Sequence, residues 1–171
     1  LLYLATLRLG AIYVPLNTAY TPTEVAYFLG DAKPGLFIAR PDREATLSEA
    51  AQAAGATLLT LDGSGQGSLR ERVDQATPLK AVTTVSGDEI ASIIYTSGTT
   101  GRSKGAMLSH DNLASNALAL RTLWGFVSTD VLLHALPLYH LHGLFVAVHC
   151  AILRGCPMLF LPRWDPWLSS T

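Results

Sequence analysis

Residues 90–109 read IASIIYTSGTTGRSKGAMLS, and the parsing of this stretch decides the fold. Ile90 to Tyr95 reads as one strand and Gly105 to Ser109 as another. Between them lie Thr96, Ser97, Gly98, Thr99, Thr100, Gly101, Arg102, Ser103 and Lys104. Five of these nine carry hydroxyls, two are glycine, two are cationic and none is acidic. A loop that wraps a polyphosphate needs these features. Glycines admit positive φ, so successive N–H groups can converge on one anion. Hydroxyls donate to further oxygens, and cations offset the charge. A lysine about 4 Å from a phosphate gains ~1 kcal/mol in water but ~4 at an effective dielectric of 20. Lys104 therefore matters most where solvent is excluded.

The bland alternative is a solvated Ser/Gly linker, and the chain carries its own example. Asp62–Ser68 (DGSGQGS) is as rich in Gly and Ser, but it holds an acid, no cation and no strand directly after it; it reads as a flexible surface loop. Two common nucleotide motifs fail at 96–104. GxxxxGK[ST] anchored at Gly98 needs glycine where Ser103 stands, and a strand rather than a helix follows Lys104. GxGxxG fails at Thr100.

Helix and strand signals alternate outward from this loop. Upstream, Leu1–Leu9 reads as a helix ending at Gly10 and Ala11–Leu16 as a strand. Thr21-Pro22-Thr23-Glu24 is a capping box with proline at the first helical position, and Gly30 closes that helix. Leu36–Ala39 is a short buried strand, Arg43–Ala54 a helix and Thr57–Leu61 a strand. Ser68-Leu69-Arg70-Glu71 caps one more short helix. Downstream, Leu113, Ala117, Leu120 and Trp124 mark one face of a helix starting near Asp111. Val131–Leu136 is a buried strand, Leu141–Leu153 a helix and Met158–Leu161 a strand. This rhythm predicts an α/β fold with mainly parallel sheets and helices on both faces. The domain expectation is a βα piece over 1–76, a linker over 77–89 and a loop-bearing βα piece over 90–171.

Composition narrows the function. The 171 residues hold 12 basic and 13 acidic side chains, a net charge of -1, which argues against nucleic acid or an anionic membrane as a partner. Only 15% of residues are charged, against about 25% in a typical soluble domain. With a mean hydropathy of +0.30, the chain is rich in core and poor in surface. Part of its surface is expected to face more protein, and the apolar start at Leu1 and the short tail after Pro166 read as those of a fragment. Cys150 and Cys156 read as two small buried hydrophobes in a reducing, cytoplasmic setting. Val131–Leu153 lacks acid and base but is broken by Pro137 and four histidines, so no transmembrane segment is expected. Leu1–Gly10 does not read as a signal peptide, because Arg8 follows its apolar residues.

His140 and His142 stand in H-x-H spacing, which on an extended segment aims both rings one way. That invites a metal reading with His134 or His149 as further ligands. No carboxylate lies between Asp130 and Asp165, and neither cysteine is spaced for a site; the expectation is no metal. His134 and His149 read as satisfied core histidines, and Tyr139 and Trp124 as packing residues.

Tyr95–His110, YTSGTTGRSKGAMLSH, closely resembles the signature loop of the adenylate-forming (ANL) superfamily of acyl-CoA synthetases, luciferases and peptide-synthetase adenylation domains. Ala135–Leu144, ALPLYHLHGL, resembles the second landmark of that superfamily. One departure is Ser103, where many members carry proline. The resemblance covers the whole chain, which would be an incomplete piece of the large N-terminal domain of an adenylate-forming enzyme. It implies a two-step reaction on a small carboxylic acid, with ATP, Mg2+ and coenzyme A. Thr96–Lys104 would hold the β- and γ-phosphates, with Lys104 and Arg102 neutralising charge; solvation is the alternative for Arg102, whose position varies. It further implies that His140 lies where acyl group, adenylate and pantetheine meet, as the catalytic and acid-steering residue, and that His142 lines the acyl pocket. The runs GRSKGAMLSHDNLASN and HALPLYHLHGLF look most like the malonyl-CoA synthetase branch. The runner-up is a medium- or long-chain fatty acyl-CoA synthetase, and a further alternative is a truncated, inactive nucleotide-binding module. The adenine, ribose and catalytic-lysine sites of the superfamily fall outside this chain, in the missing remainder of the N-terminal domain and the C-terminal domain.

Overall fold

The computed structural model describes residues 1–96 and 102–161, and the chain divides into two compact units. One is Asn17–Lys80; the other joins Leu1–Leu16 to the chain from Ala81 onward. Residues 1–16, grouped with the first piece on sequence, thus pack with the loop-bearing piece.

The unit Asn17–Lys80 is a βα layer built on local signals. Helix α2 (Pro22–Ala32) starts at the expected capping box. The Thr21 hydroxyl accepts from Glu24 N at 3.3 Å, and the Glu24 carboxylate accepts from Thr21 N at 2.8 Å. The bond from Thr21 N, and a second in which the Thr21 hydroxyl donates to the same carboxylate at 2.7 Å, hold the Glu24 carboxyl below its ordinary pKa. Gly30 does not close the helix. It continues to Ala32 and stops at Lys33, which is left-handed at φ 45°. The cause is Pro34, whose ring disfavours helical backbone at the residue before it. Helix α3 (Glu44–Ala53) follows a short 3-10 turn. Arg43 does not enter α3; its guanidinium donates to the carbonyls of Thr18 and Tyr20 at 3.2 and 2.9 Å. Val25 and Leu29 of α2 meet Leu47 and Ala51 of α3 in one core, with Phe37 and Leu58 against it. Strands β1 (Leu36–Ala39) and β2 (Thr57–Thr60) pair in parallel, but no residue of β1 is fully buried.

In α4 (Ser68–Gln75) the sequence reading needs correction. Gly67 is the N-cap, at φ 138°, and Ser68 makes no capping bond. Its hydroxyl instead accepts from Thr60 N at 2.9 Å, while Ser68 N donates to the Thr60 hydroxyl at 3.1 Å. The preceding loop is organised rather than loose. One oxygen of Asp62 accepts from Ser64 N, the Ser64 hydroxyl and Gln66 N.

In the second unit, α1 (Leu2–Arg8) forms as expected, but Ala11–Leu16 contributes a single parallel bridge, Tyr13 to Ser92. Pro15, two residues on, has no N–H to continue the ladder. Strands β3 (Ile90–Thr96) and β4 (Lys104–Ser109) are antiparallel. This departs locally from a parallel sheet for a geometric reason: parallel neighbours need a crossover of a dozen or more residues, and the connection here spans only 97–103. Helix α5 (His110–Leu123) begins at a Ser109–Asn112 capping box. Leu113 and Ala117 are buried, whereas Trp124 lies past the helix end and is exposed.

Strands β5 (Leu132–His134) and β6 (Met158–Phe160) are parallel. They are joined by a wide π-type turn, His142–Ala147, that runs into α6 (Val148–Arg154). Val131–Leu136 was expected to be a buried strand, yet only His134 in it is buried; Val131 is 63% exposed. The β5–β6 pair has no further strand over it among the described residues. The stretch expected to be a linker also packs. Thr83 N donates to Arg8 O at 2.9 Å, and Asp111 N to Gly87 O at 2.8 Å. Cys150 and Cys156 are buried and unbridged, and the Cys156 thiol donates to Val127 O at 3.0 Å. Among the described residues no helix is long and apolar enough to cross a membrane.

Candidate nucleotide and acid site

The hairpin fixes the two ends of the acid-free loop. Thr96 closes β3 directly opposite Lys104 at the start of β4. In an antiparallel pair, residues that face each other point to the same side, so a hydroxyl and an ammonium project together at the loop's base. Two residues back on that side, Ile94 is 4% exposed and belongs to the core. On the opposite face Gly105 sits across from Tyr95. A Cβ there would come within 2.8 Å of the Ile93 side chain and 3.4 Å of the Tyr95 ring. Thr96, Arg102 and Lys104 are exposed, and Ser103 is half-buried. Neither Arg102 nor Lys104 is ion-paired with a described residue. Ser97, Gly98, Thr99, Thr100 and Gly101 lie outside the described residues.

The histidine turn is anchored in the same core. Ile94 of β3 clusters with Leu144 and Phe145 of the wide turn, with Leu113 of α5 and with Tyr3 of α1. The strand that delivers Thr96 and the turn that begins at His142, just after His140, are therefore set against each other by shared burial. His140 and His142 are both exposed. His140 N donates to Pro137 O at 3.1 Å, and His140 O accepts from Leu144 N at 3.0 Å. The half-buried Tyr139 ring lies 4.9 Å from that of His140. Gly143 closes the turn: a Cβ on it would overlap the Pro137 carbonyl and stand 3.3 Å from Leu136 Cβ. Sequence reasoning did not single out Gly143 or Gly105; the available signal was glycine beside each motif.

Of the remaining histidines, His134 and His149 face inward. The Tyr3 hydroxyl and His149 Nε2 are 2.8 Å apart, with the rings stacked at 5.6 Å. Burial pushes the His149 pKa down. His134 was expected to be a satisfied core histidine; it is buried, but its Nε2 has no hydrogen-bond partner among the described residues, and burial pushes its pKa down. No group of three His, Cys, Asp or Glu side chains converges among the described residues. An apolar cavity of about 340 Å3 is lined by α1, α5 and α6, and none of the expected site residues borders it.

The chain belongs to the AMP-binding enzyme family, whose model matches residues 1–171. It is 38% identical over 157 residues to a mitochondrial malonate–CoA ligase of Xenopus laevis, a match covering 92% of this chain and 27% of that protein. It is 32% identical over 168 residues to a sulfoacetate–CoA ligase of Cupriavidus necator, covering 96% and 32%. The crystal structure of ATP-bound MatB from Rhodopseudomonas palustris superimposes with a TM-score of 0.94 at 50% identity, over 98% of this chain and 33% of that one. The chain thus spans about a third or less of these relatives' lengths.

Proposed function

We propose that this chain is the phosphate-loop portion of an ATP-dependent acid–CoA ligase whose acid is a short dianion, malonate above all. In the first step a carboxylate oxygen of the acid bonds to the α-phosphorus of ATP and the bond to pyrophosphate breaks. In the second, the coenzyme A thiolate attacks the acyl carbon and AMP leaves. The observation that carries this reading is the register of Thr96 against Lys104, which sets a hydroxyl and an ammonium not ion-paired with any described residue at the mouth of an acid-free loop.

Thr96–Lys104 would hold the β- and γ-phosphates, Lys104 offsetting charge on the departing pyrophosphate and Arg102 adding to it. Positioning and electrostatics carry such chemistry, and no nucleophilic side chain is required. Mg2+, when bound, neutralises phosphate oxygens. The chain's own donors at the loop are hydroxyls, which suits an ion that keeps its waters and arrives on the nucleotide. His140 would steer the carboxylate, and His142 would line the acyl pocket. The buried, unbridged cysteines support a reducing compartment, cytoplasmic on the sequence reading. The 171-residue chain alone is proposed not to turn over, since it spans only about a third of the matched ligases.

Pyrophosphate release by the full-length protein with malonate, butyrate and octanoate tests the reading. Malonate should be preferred. A preference for octanoate would retire the malonate assignment in favour of a fatty acyl-CoA synthetase and leave the adenylation step standing.

A further inference from the structure

Tyr139 and His140 are neighbours in sequence, and on an extended segment their side chains would point to opposite faces. Here the chain turns and brings them together. Their ring centroids stand 4.9 Å apart with the planes tilted by 37°, inside the ~4.5–7 Å range in which aromatic rings attract one another. Tyr139 is half-buried and His140 exposed, so the phenol ring is the better held of the two.

The backbone of His140 is fixed on both sides. Its N–H donates to Pro137 O at 3.1 Å, and its carbonyl accepts from Leu144 N at 3.0 Å. Leu144 is itself buried in the core shared with Ile94 and Tyr3. Those bonds place the His140 Cα but leave the torsions of its side chain free. The imidazole makes no hydrogen bond or ion pair with another described residue. Its contact is the Tyr139 ring.

We propose that Tyr139 is a positioning residue: its ring is the surface against which the His140 imidazole is set before the acid arrives. A side chain ordered in advance need not be ordered on binding, and the saving appears in the affinity for the acid. This rests on the reading that His140 steers the carboxylate of the acid. A residue with this role acts on acid binding and leaves nucleotide binding alone, because the hairpin that carries Thr96 and Lys104 is tied by its own ladder.

The test uses the full-length protein and whichever acid the wild type prefers. Tyr139→Phe keeps the ring, Tyr139→Leu removes it, and His140→Ala removes the group on which it acts. Tyr139→Leu should raise the KM for the acid about fivefold, the cost of ordering one side chain, with the KM for ATP within about twofold of wild type. Tyr139→Phe should stay within about twofold for both. Added to His140→Ala, Tyr139→Leu should change nothing further, since the two rings act as one unit. The NMR signals of the His140 ring should move in Tyr139→Leu and stay in place in Tyr139→Phe. If Tyr139→Leu does not fold, Tyr139→Met takes its place. An unchanged acid KM in His140→Ala would sink the reading of His140 and the proposal with it. With a raised acid KM in His140→Ala, three results would overturn the role of Tyr139 alone: no effect of Tyr139→Leu, effects that add in the double variant, or parallel rises in the KM for acid and ATP.

Discussion

Replacing Lys104 by alanine in the full-length protein separates the two halves of the proposed reaction. Lys104 is exposed at the start of β4 and is not ion-paired with a described residue. Its removal leaves no buried charge stranded, so stability should stay within about 0.5 kcal/mol of wild type, as for most surface changes. Its contribution arises when phosphate arrives opposite Thr96. In open water that contact is worth ~1 kcal/mol, and at an effective dielectric of 20 it approaches ~4. A charge-assisted hydrogen bond in a partly closed site falls between, at about 1.5–3 kcal/mol, or roughly one to two decades in rate. The loss should fall on ATP–pyrophosphate exchange, since pyrophosphate leaves in that step. Thioester formation from supplied acyl-adenylate should be nearly unchanged. Ser64→Ala, in the Gly/Ser loop whose hydroxyl only bonds Asp62, is the control and should alter neither. Equal losses in both half-reactions for Lys104→Ala would refute the assignment of Lys104 to the leaving group.

Two further outcomes follow from the packing. Gly143→Ala forces a methyl against the Pro137 carbonyl and Leu136; it should cost about 1–3 kcal/mol of stability, the usual range for overpacking, and raise the acid KM, and an unchanged urea midpoint would contradict the close approach. His149 titrates near pH 6.5 when unfolded and lower when folded, so below about 6.5 the unfolded chain binds more protons and stability declines as pH falls, levelling off below the folded pKa. Urea midpoints at pH 7.5 and 5.5 should differ less in His149→Phe than in wild type, and an identical slope would show that His149 is not the titrating group.

What the sequence made legible was local. The Thr21–Glu24 capping box and the strands on either side of the loop depend on neighbours within a few residues, and the structure has both. What it hid depended on partners far along the chain. Ser68 looks like a cap, but Thr60 lies close enough to take its hydroxyl. Val131–Leu136 is apolar enough to be buried, yet burial needs something on the other side, and Met107, Val131 and Leu159 all stand more than half exposed. The low charge content anticipated such a surface. The candidate site followed the same rule. The acid-free stretch 96–104 stands out by residue types alone, whereas the buried His134 Nε2 without a partner among the described residues does not, because its burial depends on packing far along the chain.

The arrangement also limits what this chain can do for a second anionic group on the acid. Between Asp130 and Arg154 there is no Asp, Glu, Lys or Arg, so on the proposed reading the histidine turn would meet an acid with imidazoles, backbone and apolar side chains. Taking a carboxylate out of water costs several kcal/mol unless a full counter-charge receives it, and two neutral rings do not supply one. Arg102 and Lys104 stand at the proposed phosphate loop, where ATP would already call on them. If malonate is the acid, its distal carboxylate therefore requires a cation contributed by protein beyond these residues. His140 and His142 would then orient the dianion without neutralising it. That division suits a family in which one relative is a malonate ligase and another a sulfoacetate ligase: the cation would recognise charge that either acid carries, while the turn would set how far from the phosphates the reacting carboxylate lies.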